Sequence, residues 1–319
     1  MKELKIFGIV AAFTLLLYWG VEPFAHSKMH KHVEGHDFVY NGTADIEEAE
    51  AKGKQEVAEA KKKFWADVEK ISKLKGDVAA GEAAFATCLG CHTGQPINMG
   101  GVIPPKLDHA GALYDKKYLI ALIKDPAMAS NVDHKYKDTS THPMGSIKMM
   151  MGGDQQIADV VAYIKAKKAA EVTPKEAYEE ACGRCHAMRY MKWTQLGETP
   201  KFKYEKDALA YKIKVLDEQD AVKKYMGKLP PDLSIIIRAR SEHFLETFVE
   251  NPQSQLPGTS MPRVGLTKEG YEKVKAYLEE SGDPSKPKRE ALGPWVLLFF
   301  FIFTILAYLW KKSVWKGHH

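Results

Sequence analysis

All four cysteines of this 319-residue chain fall in two short strings, Cys88-Leu89-Gly90-Cys91-His92 and Cys182-Gly183-Arg184-Cys185-His186. None is left over for a structural disulfide framework. A bare C-x-x-C is compatible with a redox disulfide or half of a zinc site. With a histidine directly after the second cysteine it reads as covalent c-type haem attachment. The two thiols add to the haem vinyl groups as thioethers, and the adjacent imidazole takes one axial position of the iron. That spacing is needed because both sulfurs and the imidazole must meet one porphyrin from a single turn of chain. Two copies imply two covalently bound haem c groups, with His92 and His186 as the proximal ligands.

An internal repeat supports a pair of equivalent haem units. Pro104-Pro105-Lys106-Leu107 in the first half matches Pro230-Pro231-Asp232-Leu233 in the second. Tyr118 and Phe244 stand equally far beyond those leucines, and Asp125-Pro126 aligns with Asn251-Pro252 without a gap. Each unit then closes with an amphipathic helix. In the first, Ile157, Val160, Val161 and Ile164 follow helical spacing. In the second, Tyr271, Val274 and Leu278 share a face after a candidate N-cap at Thr267. The expected fold class is mainly α: two tandem class I cytochrome c-like haem domains, at 76–170 and 171–290.

The remaining iron position in an electron carrier is commonly filled by Met or His. Met261, followed by Pro262, lies 16 residues before Tyr277, a placement similar to the ligand methionine of small class I cytochromes c. Met188 and Met191 are too close to the attachment site to come round the ring edge, Met226 is a further rival, and His243 sits within the aligned helix. In the first unit Met144 is preferred from its distance to the closing helix. Met149 is the next choice, ahead of Met150, Met151, His134 and His142, and the Met run is also suited to packing on the ring edge. Two methionine ligands imply closed, six-coordinate irons and no catalytic site at either.

The two ends of the chain are apolar. Ile6–Val21 follows Lys2 and Lys5, and with Leu4 forms a run of about 18 residues, just long enough to cross the hydrocarbon core. The run exits through Glu22-Pro23-Phe24-Ala25 without a small-x-small cleavage site, which favours a retained anchor over a signal peptide. Ala291–Trp310 carries no charge, and Trp295 near one end with Tyr308 and Trp310 at the other form an aromatic belt. Lys311, Lys312 and Lys316 follow it. The positive-inside rule then places both termini in the cytoplasm and the body of the chain on the periplasmic side of a bacterial inner membrane. A mean hydropathy of −0.33 excludes a polytopic protein but hides these two spans. A formal charge of +5, from 46 basic and 41 acidic residues, gives no indication of nucleic-acid binding.

The second half carries a resemblance to a known family. Cys185-His186-Ala187-Met188-Arg189-Tyr190, Leu229-Pro230-Pro231-Asp232-Leu233-Ser234 with Arg238-Ala239-Arg240 following, and a haem unit running directly into an anchor ending Leu309-Trp310-Lys311-Lys312 resemble the cytochrome c1 subunit of the quinol–cytochrome c oxidoreductase (bc1) complex. The resemblance covers roughly residues 175–319. It implies a haem reduced by a mobile Rieske iron–sulfur domain, with cytochrome b as a further partner in a dimeric complex, and Arg240, together with Arg238, paired with a haem propionate. The first unit resembles a soluble class I cytochrome c. That family implies that the carbonyl of Pro104, 12 residues after His92, accepts the proximal imidazole N–H. The extra haem unit and the N-terminal anchor depart from the usual c1 pattern, which leaves the outgoing partner open between a cytochrome c and a terminal oxidase. A dihaem subunit of a cbb3-type oxidase and a dihaem peroxidase are the rival readings.

Three segments give weaker signals. His26, His30, His32 and His36 read as an exposed linker just past the N-terminal anchor (1–25), which together with a charged helix fills 26–75. Ala44–Lys75, rich in Ala, Glu and Lys, reads as one long solvated spacer helix with i,i+4 charge pairs. Leu196–Lys228 interrupts the second repeat, and insertions there in c1-type subunits tend to make subunit contacts. The C-terminal anchor and tail occupy 291–319.

Overall fold

A computed structural model of the chain describes residues 2–29, 38–98, 101–136, 138, 141–167 and 171–317. The chain divides into two compact units, the first ending at Phe38 and the second beginning at Val39. The first unit is helix α1 (Lys2–Leu16), a π-helical turn at Leu17–Val21, and α2 (Glu22–Met29). Its 24 residues Lys2–Ala25 are apolar, exposed and long enough to cross a membrane. Of the four linker histidines, His30, His32 and His36 lie outside the described residues, as does the side chain of His26.

The second unit is almost entirely helical. It opens with α3 (Thr43–Ala51) and α4 (Gln55–Ser72), where a single solvated helix over 44–75 is expected from the charge pattern. The expectation fails on two counts. Gly53 adopts φ +68, which breaks the helix in two, a left-handed conformation glycine takes at little cost. One face of α4, with Ala58, Lys61, Phe64, Trp65, Val68 and Ile71, is buried. That face packs on α7, so the segment belongs to the core and is not a spacer.

The next stretch runs α5 (Val78–Phe85), α6 (Ala110–Leu113), α7 (Lys116–Lys124), α8 (Pro126–Ala129), α9 (Ile147–Met150) and α10 (Asp154–Ala166). The densest helix pairing in the molecule is between α5 and α10. It requires glycine: a Cβ on Gly81 would lie 2.0 Å from the Asp159 carbonyl oxygen. Asp77 caps α5 through its side chain, while Asp159 receives the Asp77 N–H at 2.8 Å. Phe85 and Tyr163 pack with ring centroids 5.1 Å apart.

The helix order then recurs. α11 (Pro174–Ala181) enters through a Thr173/Glu176 capping box. A two-stranded hairpin, β1 (Trp193–Thr194) and β2 (Gly197–Glu198), and α12 (Glu205–Met226) form the insertion. α13 (Ile236–Ala239), α14 (Glu242–Glu250), α15 (Pro252–Gln255) and α16 (Lys268–Gly282) complete the body. The repeat seen in sequence is visible here: α7 and α14 each have nine residues, and α8 and α15 each have four and begin at proline. α11 crosses α16 as α5 crosses α10, with Tyr178 and Tyr277 at 5.3 Å in the place of Phe85 and Tyr163. Thr267 caps α16 as expected, its hydroxyl accepting the Gly270 N–H at 3.1 Å.

The two halves are fused through α7. Tyr114 bridges Leu266, Asp115 N–H donates to Gly265 O at 2.9 Å, and the Tyr118 hydroxyl donates to Arg263 O at 2.7 Å. Gly265, at φ +77, lies against the Tyr118 ring, where a Cβ would overlap it. The insertion helix α12 also packs on the first half: Asn98 donates to Glu218 at 2.8 Å and the Tyr136 and Tyr225 hydroxyls are hydrogen-bonded. Finally α17 (Lys286–Val314) runs for 29 residues, apolar and exposed. At 1.5 Å per residue it is about 43 Å long, more than enough for a hydrocarbon core of about 30 Å.

Candidate functional site

Both C-x-x-C-H strings fold into the same turn. In the first, Cys91 N–H and His92 N–H both donate to Cys88 O, at 3.2 and 3.0 Å. In the second, Cys185 N–H and His186 N–H donate to Cys182 O, at 3.1 and 3.0 Å. Each turn follows a short helix, α5 or α11, whose aromatic contact with the closing helix fixes where the cysteines emerge. The second turn is additionally held by Trp193 Nε1–H on Gly183 O at 2.9 Å, Gln195 on Cys185 O at 3.1 Å, and the Tyr178 hydroxyl on His186 O at 3.0 Å.

The histidines are oriented identically. His92 Nδ1 lies 2.8 Å from Pro105 O, and His186 Nδ1 lies 2.8 Å from Pro231 O. A carbonyl only accepts, so Nδ1 carries the proton and the neutral ring presents a bare Nε2 lone pair. This corrects the expectation at Pro104: the acceptor is the second proline of the pair in both halves. Successive carbonyls of a Pro-Pro step point about 120° apart in polyproline geometry, so only one can face the ring. Burial pushes both imidazoles below the ordinary histidine value. The proline carbonyls oppose that shift, and at His92 the Arg184 charge adds to it.

None of the four cysteines is in a disulfide. Burial raises Cys88 and Cys185, and pushes Cys182 up to about 12 with help from the neighbouring Cys185. A reactive thiolate needs an electropositive setting that lowers its pKa. These surroundings instead favour an uncharged sulfur, which a thioether is. Among the described residues no His/Cys/Asp/Glu cluster is arranged to hold a bare metal ion. Surroundings that favour an uncharged sulfur at Cys88, Cys182 and Cys185, a tautomer-fixed imidazole and the shared turn fit haem c.

The candidate distal residues are placed as follows. Met144 is half-buried, and its N–H donates to His142 Nδ1 at 3.0 Å. That bond leaves the proton of the neutral His142 ring on Nε2, which disfavours this histidine as a ligand. Met149 and Met150 are 82% and 58% exposed on the protein surface. Met261 is half-buried, in a loop fixed by Thr259 Oγ1 on its N–H at 3.2 Å. Met188 belongs to the core, and Met226 Sδ lies 3.7 Å from Lys135 Nζ. Arg238 and Arg240 are exposed, the latter with its guanidinium over the Phe244 ring at 5.3 Å.

Sequence reasoning did not single out Arg184, between the two cysteines of the second string, or the His109–Glu180 contact at 2.5 Å that ties the first half to α11. Nor did it find Arg263. This residue lies two positions after Met261, is 1% exposed, and is hydrogen-bonded to Asp45, Asn251 and Glu250 O. Pairings so distant in sequence leave no local signature.

Residues 78–168 match the family Cytochrome c. This chain contains a cytochrome c domain. That domain implies covalently bound haem c. The chain is 24% identical over 198 residues to cytochrome c1 of Allochromatium vinosum, covering 43% of this chain and 80% of that protein. It is 25% identical over 213 residues to a protein of Nitrosomonas europaea named ammonia monooxygenase gamma subunit, covering 52% and 91%. A solved structure titled hyperthermophilic respiratory Complex III aligns with a TM-score of 0.35 at 25% identity, covering 45% of this chain and 74% of that one.

Proposed function

We propose that the chain is a membrane-anchored dihaem cytochrome of the c1 type. In this reading it carries electrons from a Rieske iron–sulfur protein, within a bc1-like complex that also holds cytochrome b, to a cytochrome c or a terminal oxidase. The observation that carries it is the identical hydrogen bonding of the two attachment turns, down to the 2.8 Å contact from each histidine to the second proline of its pair. A chance C-x-x-C-H has no reason to reproduce that second contact.

Haem c, when bound, supplies one-electron iron chemistry. The polypeptide supplies the rest. Cys88 and Cys91, and Cys182 and Cys185, tether the two groups. His92 and His186, their Nδ1 atoms held by Pro105 O and Pro231 O, would supply an imidazole nitrogen to each iron. Met261 and Met144 would each supply a thioether to the iron, which would raise the potential relative to a second imidazole. Arg240 and Arg238 are assigned to a propionate at the second site. In this reading the site of Cys182 and His186 would hold the group that accepts the electron, and that of Cys88 and His92 the group that passes it on. The first-half and second-half domains lie in the periplasm between two anchors, with both termini in the cytoplasm.

The test is extraction in mild detergent followed by intact-mass analysis and identification of the retained subunits. Two covalent haems per chain, with an iron–sulfur protein and a b-type cytochrome retained, are expected. A single haem, or retention of a copper–haem oxidase subunit alone, overturns the proposal.

A further inference from the structure

Met261 stands between two anchored residues. Before it, the Gln253 side chain donates to Thr259 O at 2.6 Å and accepts the Gly258 N–H at 2.9 Å. After it, with only Pro262 between, comes Arg263. Proline fixes its own φ at about −65° and restricts the residue before it, so this step transmits a shift of Arg263 to Met261 instead of absorbing it. Arg263 is 1% exposed and donates to both carboxylate oxygens of Asp45, to Asn251 Oδ1 at 3.0 Å and to Glu250 O at 3.1 Å. Glu250 and Asn251 belong to the second half, but Asp45 lies on α3, which precedes both haem units. The loop after Met144 is held differently. Its cation is Lys148, 64% exposed and 4.0 Å from Asp125, the residue aligned with Asn251. An ion pair so open to water restrains little.

We infer that Asp45 and Arg263 are positioning residues for Met261, so that α3 sets how firmly the second haem iron keeps its methionine. This rests on the assignment of Met261 as a ligand above. A neutral thioether is not drawn to iron by charge, so the loop that presents it decides how often it is in place. Groups that orient a ligand typically govern its affinity by about 10–100-fold. Two hydrogen bonds from a planar guanidinium to one carboxylate fix direction as well as distance, and a pair buried this deeply is little screened by salt. Because the Met144 loop is tied through exposed Lys148 instead, the restraint bears on one haem.

The experiment compares the full-length, haem-loaded protein with Asp45→Ala and Asp45→Ala/Arg263→Leu, reading the methionine–iron absorption band and titrating the ferric protein with imidazole. Met261→Ala in the same chain sets the spectrum for complete loss at the second haem. Asp45→Ala is expected to lose the band that Met261→Ala removes and to bind imidazole there about 10–100-fold more tightly than wild type. Haem content and the band of the other haem should be unchanged. The double variant removes the stranded buried charge, so it keeps the test readable if the single variant does not fold. It is expected to recover unfolding stability without recovering the band. Recovery of the band along with stability, or a folded Asp45→Ala chain with the full band and wild-type imidazole affinity, overturns the inference while leaving the ligand assignment intact. A Met261→Ala chain that keeps both bands overturns the assignment and the inference with it.

Discussion

Arg263 and Asp45, 218 residues apart in sequence, meet in a two-point ion pair with both side chains 1% exposed, at 2.5 and 3.0 Å. The arginine is held from other directions as well: its N–H donates to Ser130 O at 2.9 Å, and its carbonyl accepts from the Tyr118 hydroxyl at 2.7 Å. The loop bearing Met261 is thus fastened to α3 and to the first half of the molecule.

Asp45→Ala leaves a buried guanidinium uncompensated. Breaking a buried pair from one side costs about 3–5 kcal/mol, and denaturant unfolding followed by far-UV circular dichroism should show a loss of that order. Adding Arg263→Met in the same chain should recover part of it. If the single variant is as stable as wild type, the pair does not hold the loop.

Ligand assignment has an optical readout. Met261→Ala and Met144→Ala are each expected to abolish the long-wavelength methionine–iron absorption band of one haem and leave that of the other. His142→Ala should leave both bands in place. A band that survives either methionine change would reassign that distal position.

Much of this architecture was legible in the sequence. The two strings, the Tyr118/Phe244 and Pro126/Pro252 alignments, the Thr267 cap and the buried faces of both closing helices all rest on short-range spacing, and the structure reproduces them. The choice between Pro104 and Pro105 turns on which carbonyl faces a ring, and residue order does not encode that. Ala44–Lys75 failed for a different reason. Phe64, Trp65, Val68 and Ile71 do lie at helical spacing, but abundant Glu and Lys on the opposite face hid them in a composition that reads as solvated. Asp45–Arg263 had no local pattern to find.

Gly81→Ala tests the crossing of α5 and α10. The added carbon would meet a backbone carbonyl, which has no rotamer to yield. Overpacking of this kind costs about 1–3 kcal/mol, expected as a lower unfolding temperature and reduced haem incorporation at Cys88 and Cys91. Gly53→Ala, with nothing near it, should cost less and through backbone strain alone.

The junction before α17 should respond to acid. Asp283 accepts two hydrogen bonds from Arg289, at 2.5 and 2.7 Å, which hold its carboxyl down to about 2 from the usual aspartate range. A depressed carboxylate stabilises the fold above its unfolded value, near 4, and that contribution is lost as pH falls through the folded value near 2. Pepsin cleavage between α16 and α17 should therefore increase as pH is lowered from about 4 to 2. Arg289→Gln should be cut readily at the upper end of that range already.

The same junction limits how far the carrier can travel. Only Asp283, Pro284 and Ser285 separate the end of α16 from the start of a rigid 29-residue rod, whose first residue, Lys286, is bonded to Glu279. Three linking residues, at no more than about 3.6 Å each, allow a swing of roughly 10 Å. A redox centre on so short a leash does not commute between distant donors and acceptors; its reaction partners must do the moving.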